Sequence, residues 1–178
     1  VRDPSNQHYF GNVTSGFTSV SNLYTLSILR KVDAYLERGA FSLLISEGYF
    51  DPASETGRMQ DVYLYLDGQA ARSQEMKDEA ESRRMFRNLM SLYQTSDVMT
   101  LRHRIHDLIQ YLTSQYPGAK DPPHVQFLKG TLREWEVELL WAYVGIESSC
   151  VYPLRLGFYK GDIFSEEPEV DRDVIPIF

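Results

Sequence analysis

A single cysteine, Cys150, stands among 178 residues, so the chain can form no internal disulfide. That excludes the disulfide-braced class of small domains and points to a reducing compartment such as the cytoplasm. Long apolar runs are also missing. Nothing approaches the roughly 20 consecutive apolar residues a membrane helix needs, and the opening Val1-Arg2-Asp3-Pro4-Ser5-Asn6 has no apolar signal region. Positive charge is scarce, with 18 Lys and Arg against 25 Asp and Glu and a net charge of -7. Bulk attraction to nucleic acid or to anionic lipid is therefore not expected. Neither glycine-rich phosphate loop, GxGxxG or GxxxxGK, occurs. HExxH and a doubled Glu-x-x-His pattern are absent as well, which removes the metalloprotease and di-iron bundle signatures.

What is present suits a packed domain. Hydrophobic residues make up 43% of the chain and aromatics 13%, enough for a real core. Tyrosine occurs 12 times, and its apolar ring with a wet edge serves cores and protein contact surfaces alike. Charge is unevenly spread. From Gly161 to Phe178, six acids face Arg172 alone, a net of -5, which leaves -2 for residues 1–160. The chain reads as an N-terminal extension (1–20), one mainly helical domain (21–160) and an acidic C-terminal tail with an apolar end (161–178). Asn12-Val13-Thr14 in the extension has the form of a glycosylation acceptor and reads as a chance match.

Periodicity predicts a helix over Asn22–Arg38 that stops at Gly39. Phe41–Phe50 fits a buried helical turn or a strand, and Asp51–Gly57 a loop. Val62, Leu64 and Leu66 alternate with Asp61, Tyr63, Tyr65 and Asp67 as in a strand ending at Asp67-Gly68, with a helix as the alternative. Gln69–Tyr93 reads as one long helix, thinly apolar at first and strongly so from Met85 to Tyr93. A third helix, capped by Ser96 or Asp97, carries Leu101, Ile105, Leu108 and Leu112 in one line and ends at Pro117-Gly118. A fourth runs over His124–Val144 with Leu128, Leu132, Trp135, Leu139 and Tyr143 facing the core and Leu140 and Trp141 widening that face. Val151–Tyr159 looks extended, with Pro153 placing it at an edge, so that 62–66 and 154–158 could pair. The expected fold is mainly α, a single irregular domain of four to five helices with two or three short strands at most, and α+β as the alternative.

The chemistry-bearing candidates are weak. His103 and His106 lie one turn apart, with Asp107 four residues after His103, a spacing that lets two imidazoles approach one ion and a carboxylate orient one of them. Arg102 and Arg104 oppose a cation there, and two ligands are too few, so no metal and no cofactor is expected. Glu134 and Glu138 share a helical face beside Trp135 and could divide acid and base roles, or simply form a charged face. Cys150 lacks a base tied to it in sequence and reads as a buried thiol. Arg83, Arg84 and Arg87 form the compact basic cluster, interleaved with acids at i,i+4 spacing as on a solvated helix. Val174, Ile175, Ile177 and Phe178 form a terminal apolar plug suited to a groove.

Three functional classes follow. The foremost is a protein-interaction module or structural subunit, contacting another protein or a second copy of itself through Arg83, Arg84, Arg87 and the terminal plug. The second is an enzyme whose site is assembled from His103, His106, Asp107, Glu134 and Glu138. The third is a binder of nucleic acid or another anionic polymer, which would need a contiguous basic stripe that the sequence does not display.

Overall fold

The computed structural model describes residues 7–116, 119–147 and 150–153, and of residues 7–20 and 55 the backbone alone. Among the described residues six helices follow one another: α1 (Gln7–Glu37), α2 (Ala40–Ser46), α3 (Glu55–Ala70), α4 (Gln74–Tyr93), α5 (Val98–Ser114) and α6 (Pro123–Tyr143). They pack as one irregular all-α domain, and no strand occurs among the described residues. The hub is α4, which touches α1, α3, α5 and α6.

Local chemistry sets the helix starts. The Ser54 hydroxyl accepts the Gly57 N–H, the Ser73 hydroxyl accepts that of Met76, and the Asp97 carboxylate accepts that of Thr100 at 2.8 Å. Each satisfies a first-turn donor that has no partner within its own helix. Pro123 opens α6 at a position where a missing N–H costs nothing. Gly39, at φ 67°, turns the chain from α1 into α2.

The expected line Leu101, Ile105, Leu108 and Leu112 is fully buried on α5. It meets Leu29 and Val32 of α1, Phe86 and Leu89 of α4 and Val125 and Leu128 of α6 in one apolar cluster. Phe41 seats the short α2 on this core. Its ring stacks on Phe86 at 4.7 Å and lies 5.6 Å from Phe50.

Several expectations change. Helix α1 begins at Gln7, so most of the segment read as an extension is helical backbone. Residues 61–67 are helical. Asp61 and Val62, neighbours in sequence, are both buried, which the alternation of a strand with one solvated face does not give and a helix allows. Helix α3 accordingly starts at Glu55, inside the expected loop. The long helix expected over Gln69–Tyr93 breaks at Arg72, whose φ is 55°, and restarts after the Ser73 cap. Gly68, the expected end of a strand, lies in α3 close against the first turn of α4. A Cβ there would lie 2.9 Å from Met76 Cβ. The 62–66 half of the proposed strand pairing is thus helical, and residues 154–158 lie outside the described residues, as do the acidic tail and its apolar end. These changes raise the helix number from four or five to six.

Candidate functional site

Ten consecutive residues of α4, Ala80 to Leu89, are buried, so this stretch of the helix is enclosed on every side. The solvated face expected for Arg83, Arg84 and Arg87 is therefore corrected. All three lie inside, at 9%, 1% and 7% exposure. They are held there because each guanidinium finds acceptors and a ring face. Arg84 pairs with Glu138 of α6, which also accepts from Arg58 of α3 at 3.3 Å. Arg87 donates to Asp61 at 2.7 Å and to the carbonyls of Asp51 and Ser54. Arg83 pairs with Glu79 and donates to the Tyr49 carbonyl at 3.1 Å. Phe50 lies between Arg83 and Arg87, at 5.3 and 4.6 Å from ring centre to guanidinium carbon, and Trp135 faces Arg84 at 5.1 Å.

This seam joins α3, α4 and α6. Burial pushes the Asp61 carboxyl above its ordinary range despite the Arg87 charge, and burial pulls the Arg84 guanidinium down against the pull of Glu138. Arg84 Nε and Nη1 and Asp61 Oδ1 have no hydrogen-bond partner among the described residues. The cost of desolvating such buried charges offsets much of their mutual attraction.

Four of the five candidate acid-base residues contact different partners. Glu138 is turned inward to Arg84 and Arg58, so its reading as part of a charged outer face is corrected. His106 Nε2 lies 3.1 Å from Asp33 of α1, which also accepts from Arg102 at 3.0 Å. His103 Nδ1 contacts the Met99 carbonyl at 2.9 Å. Asp107 is exposed, 3.8 Å from Arg104. Glu134 is half-buried one turn before Glu138. Among the described residues no group of three His, Cys, Asp or Glu side chains is arranged to hold a metal ion. Cys150, expected to be buried, is exposed. The chain leaves the core at Gly145, whose φ is 86°, five residues earlier.

The feature the sequence reading missed is the outer face of α6. Trp135 is buried as expected, but Leu140 and Trp141, expected to widen the core face, are 60% and 40% exposed, and Tyr143 is 76% exposed. Val137, Leu140, Trp141 and the C-cap Val144 follow i, i+3, i+4, i+7 and so form one stripe. At 3.6 residues per turn that stripe lies about 180° from Leu128, Leu132 and Trp135. Helix α6 is apolar on two opposite sides, one packed in the core and one exposed among the described residues. Glu134 and Glu136 flank the stripe on either side, and Arg133 stands at its N-terminal end. The signal was in the sequence: thirteen residues from Leu132 to Val144 hold too many large apolar groups for one face.

No protein-family model, curated protein or solved structure matches this chain. No described helix is long and apolar enough to cross a membrane.

Proposed function

We propose that the protein is an interaction module or structural subunit of an assembly, and that the outer face of α6 is its contact face. The observation that carries this is the exposed stripe Val137, Leu140, Trp141 and Val144 on a helix whose other side is already packed. A helix apolar on two opposite sides needs a second neighbour to cover both, and a contiguous apolar stripe left open on a globular domain is the kind of surface another molecule covers. Trp and Tyr, which supply Trp141 and Tyr143 here, are the side chains most enriched at the centres of protein interfaces. The basic cluster is not part of that surface, since its arginines are occupied by carboxylates and carbonyls of the same chain.

Site-specific photocrosslinking in the source cells tests the reading. A photoreactive side chain at position 140 is expected to give protein adducts that vanish when Trp141→Glu is added. The same group at position 63, on exposed Tyr63 of α3, is the control. Identical adducts at both positions would remove the outer face of α6 as a specific contact surface.

A further inference from the structure

We infer that Val174, Ile175, Ile177 and Phe178 of the same chain fold back over the α6 stripe and compete there with a partner, an autoinhibitory contact that rests on the contact-face reading above. The turn that ends α6 points to it. Gly145, at φ 86°, donates its N–H to the Ala142 carbonyl at 3.0 Å, and the Ile146 N–H reaches the Trp141 carbonyl at 2.9 Å. This pair of bonds is a Schellman motif, which reverses the chain beside the residue three before the cap. That residue is Trp141, a member of the stripe, so the onward chain starts at the end of the stripe itself. The described chain ends at Pro153. Residues 154–173 then lead to Val174 and could span up to about 70 Å, several times the roughly 10 Å length of the stripe. Laid extended, Val174–Phe178 would cover roughly 13 Å, which matches the run from Val137 to Val144. The acids from Asp162 to Asp173 fall in the joining stretch and need not enter the stripe. A segment tethered within reach acts at an effective concentration on the order of millimolar. A second copy would have to reach that concentration in solution to compete equally, and this selects the segment of the same chain as the occupant that a partner must displace.

Crosslinking from a photoreactive side chain at position 140 of the purified full chain tests the contact. The crosslinks are expected to map to residues 174–178 within one chain, at a yield that does not change with protein concentration. The same group at position 63 is expected to give none. Ile175→Asp/Ile177→Asp, at positions outside the described residues, is expected to remove them. In the source cells this double variant is expected to raise protein adducts at position 140 at least about threefold, the gain when the segment leaves the face free about a third of the time or less. A photoreactive group at position 144, also exposed, repeats both measurements should the variant at 140 fold poorly. The absence of intrachain crosslinks to 174–178, or crosslinks that join two chains and grow with concentration, would overturn the inference. So would protein adducts left unchanged by the double variant. Protein adducts at position 140 without intrachain ones would leave the contact-face reading standing and remove this one alone. Intrachain crosslinks with no protein adducts even from the double variant would instead remove the contact-face reading, and the competition with it.

Discussion

Arg84 and Glu138 are 54 residues apart and meet at hydrogen-bond distance with almost no exposure. Removing one partner leaves an uncompensated buried charge, whereas removing both leaves only a packing problem. Glu138→Ala should cost about 3–5 kcal/mol in denaturant unfolding, and Arg84→Met/Glu138→Leu should recover most of that loss. A single-variant loss below about 0.5 kcal/mol would show that the pair does not hold α4 to α6. Glycine gives a second contrast at this scale. A Cβ on Gly57 would sit 2.3 Å from Arg87 Nη2, whereas one on Gly130 meets nothing within 4 Å. Arg87 is tied to Asp61, Asp51 and Ser54 and has little freedom to move aside. Gly57→Ala is therefore expected to destabilise by about 1–3 kcal/mol. Gly130→Ala is expected to stabilise α6 by about 0.5–1 kcal/mol. Thermal melts of the two variants should move in opposite directions.

Between elements, α1 is clamped to α4 by Lys31, which lies 2.6 Å from Asp78 and 2.7 Å from Glu81. Burial alone would raise the Asp78 carboxyl, but hydrogen bonds from Lys31 and Gln74 and the nearby lysine charges outweigh it and hold the group below its ordinary 3.8. Burial alone would lower Lys31, and the same two acids outweigh it and hold the amine above its ordinary 10.5. The Asp78 contribution to stability is present above 3.8 and is lost as pH falls through the lower folded value. The Lys31 contribution is present below 10.5 and is lost as pH rises through the higher folded value. The stability difference between the parent and Lys31→Met should thus be a plateau between those limits that shrinks at both ends. Urea midpoints across the pH range check it, and a difference that grows on acidification would contradict the clamp.

For the whole molecule, two leucines on one helix should behave as opposites. Leu132 is 3% exposed and packs in the core, while Leu140 is 60% exposed on the outer face. Leu132→Asp would bury an unpaired carboxylate and should abolish cooperative unfolding. Leu140→Asp should leave the unfolding free energy within about 0.5 kcal/mol of the parent while removing binding of a hydrophobic dye. If Leu140→Asp unfolds the domain instead, the outer face of α6 belongs to its core.

Local signals settled much of the architecture. The helical spacing of Leu101, Ile105, Leu108 and Leu112, the cap at Asp97 and Pro123 at the start of α6 are short-range features, and each acts where it stands in the chain. The sequence could not decide which side of α4 meets protein. An arginine at 83, 84 or 87 looks solvated until Asp61, Glu79 and Glu138 are brought beside it, and two of those three partners lie on other helices. Asp61, too, is buried beside Val62 on α3 with the Arg87 guanidinium of α4 as its partner, a pairing that its local sequence does not display. Long-range placement also divided the apolar residues of α6. Periodicity counts how many apolar residues a helix carries, but the number of neighbours packed around that helix decides how many are covered. Helix α6 has α3 and α4 against one side, with α1 beside them, so Leu132 and Trp135 are enclosed and Leu140 and Trp141 stay exposed.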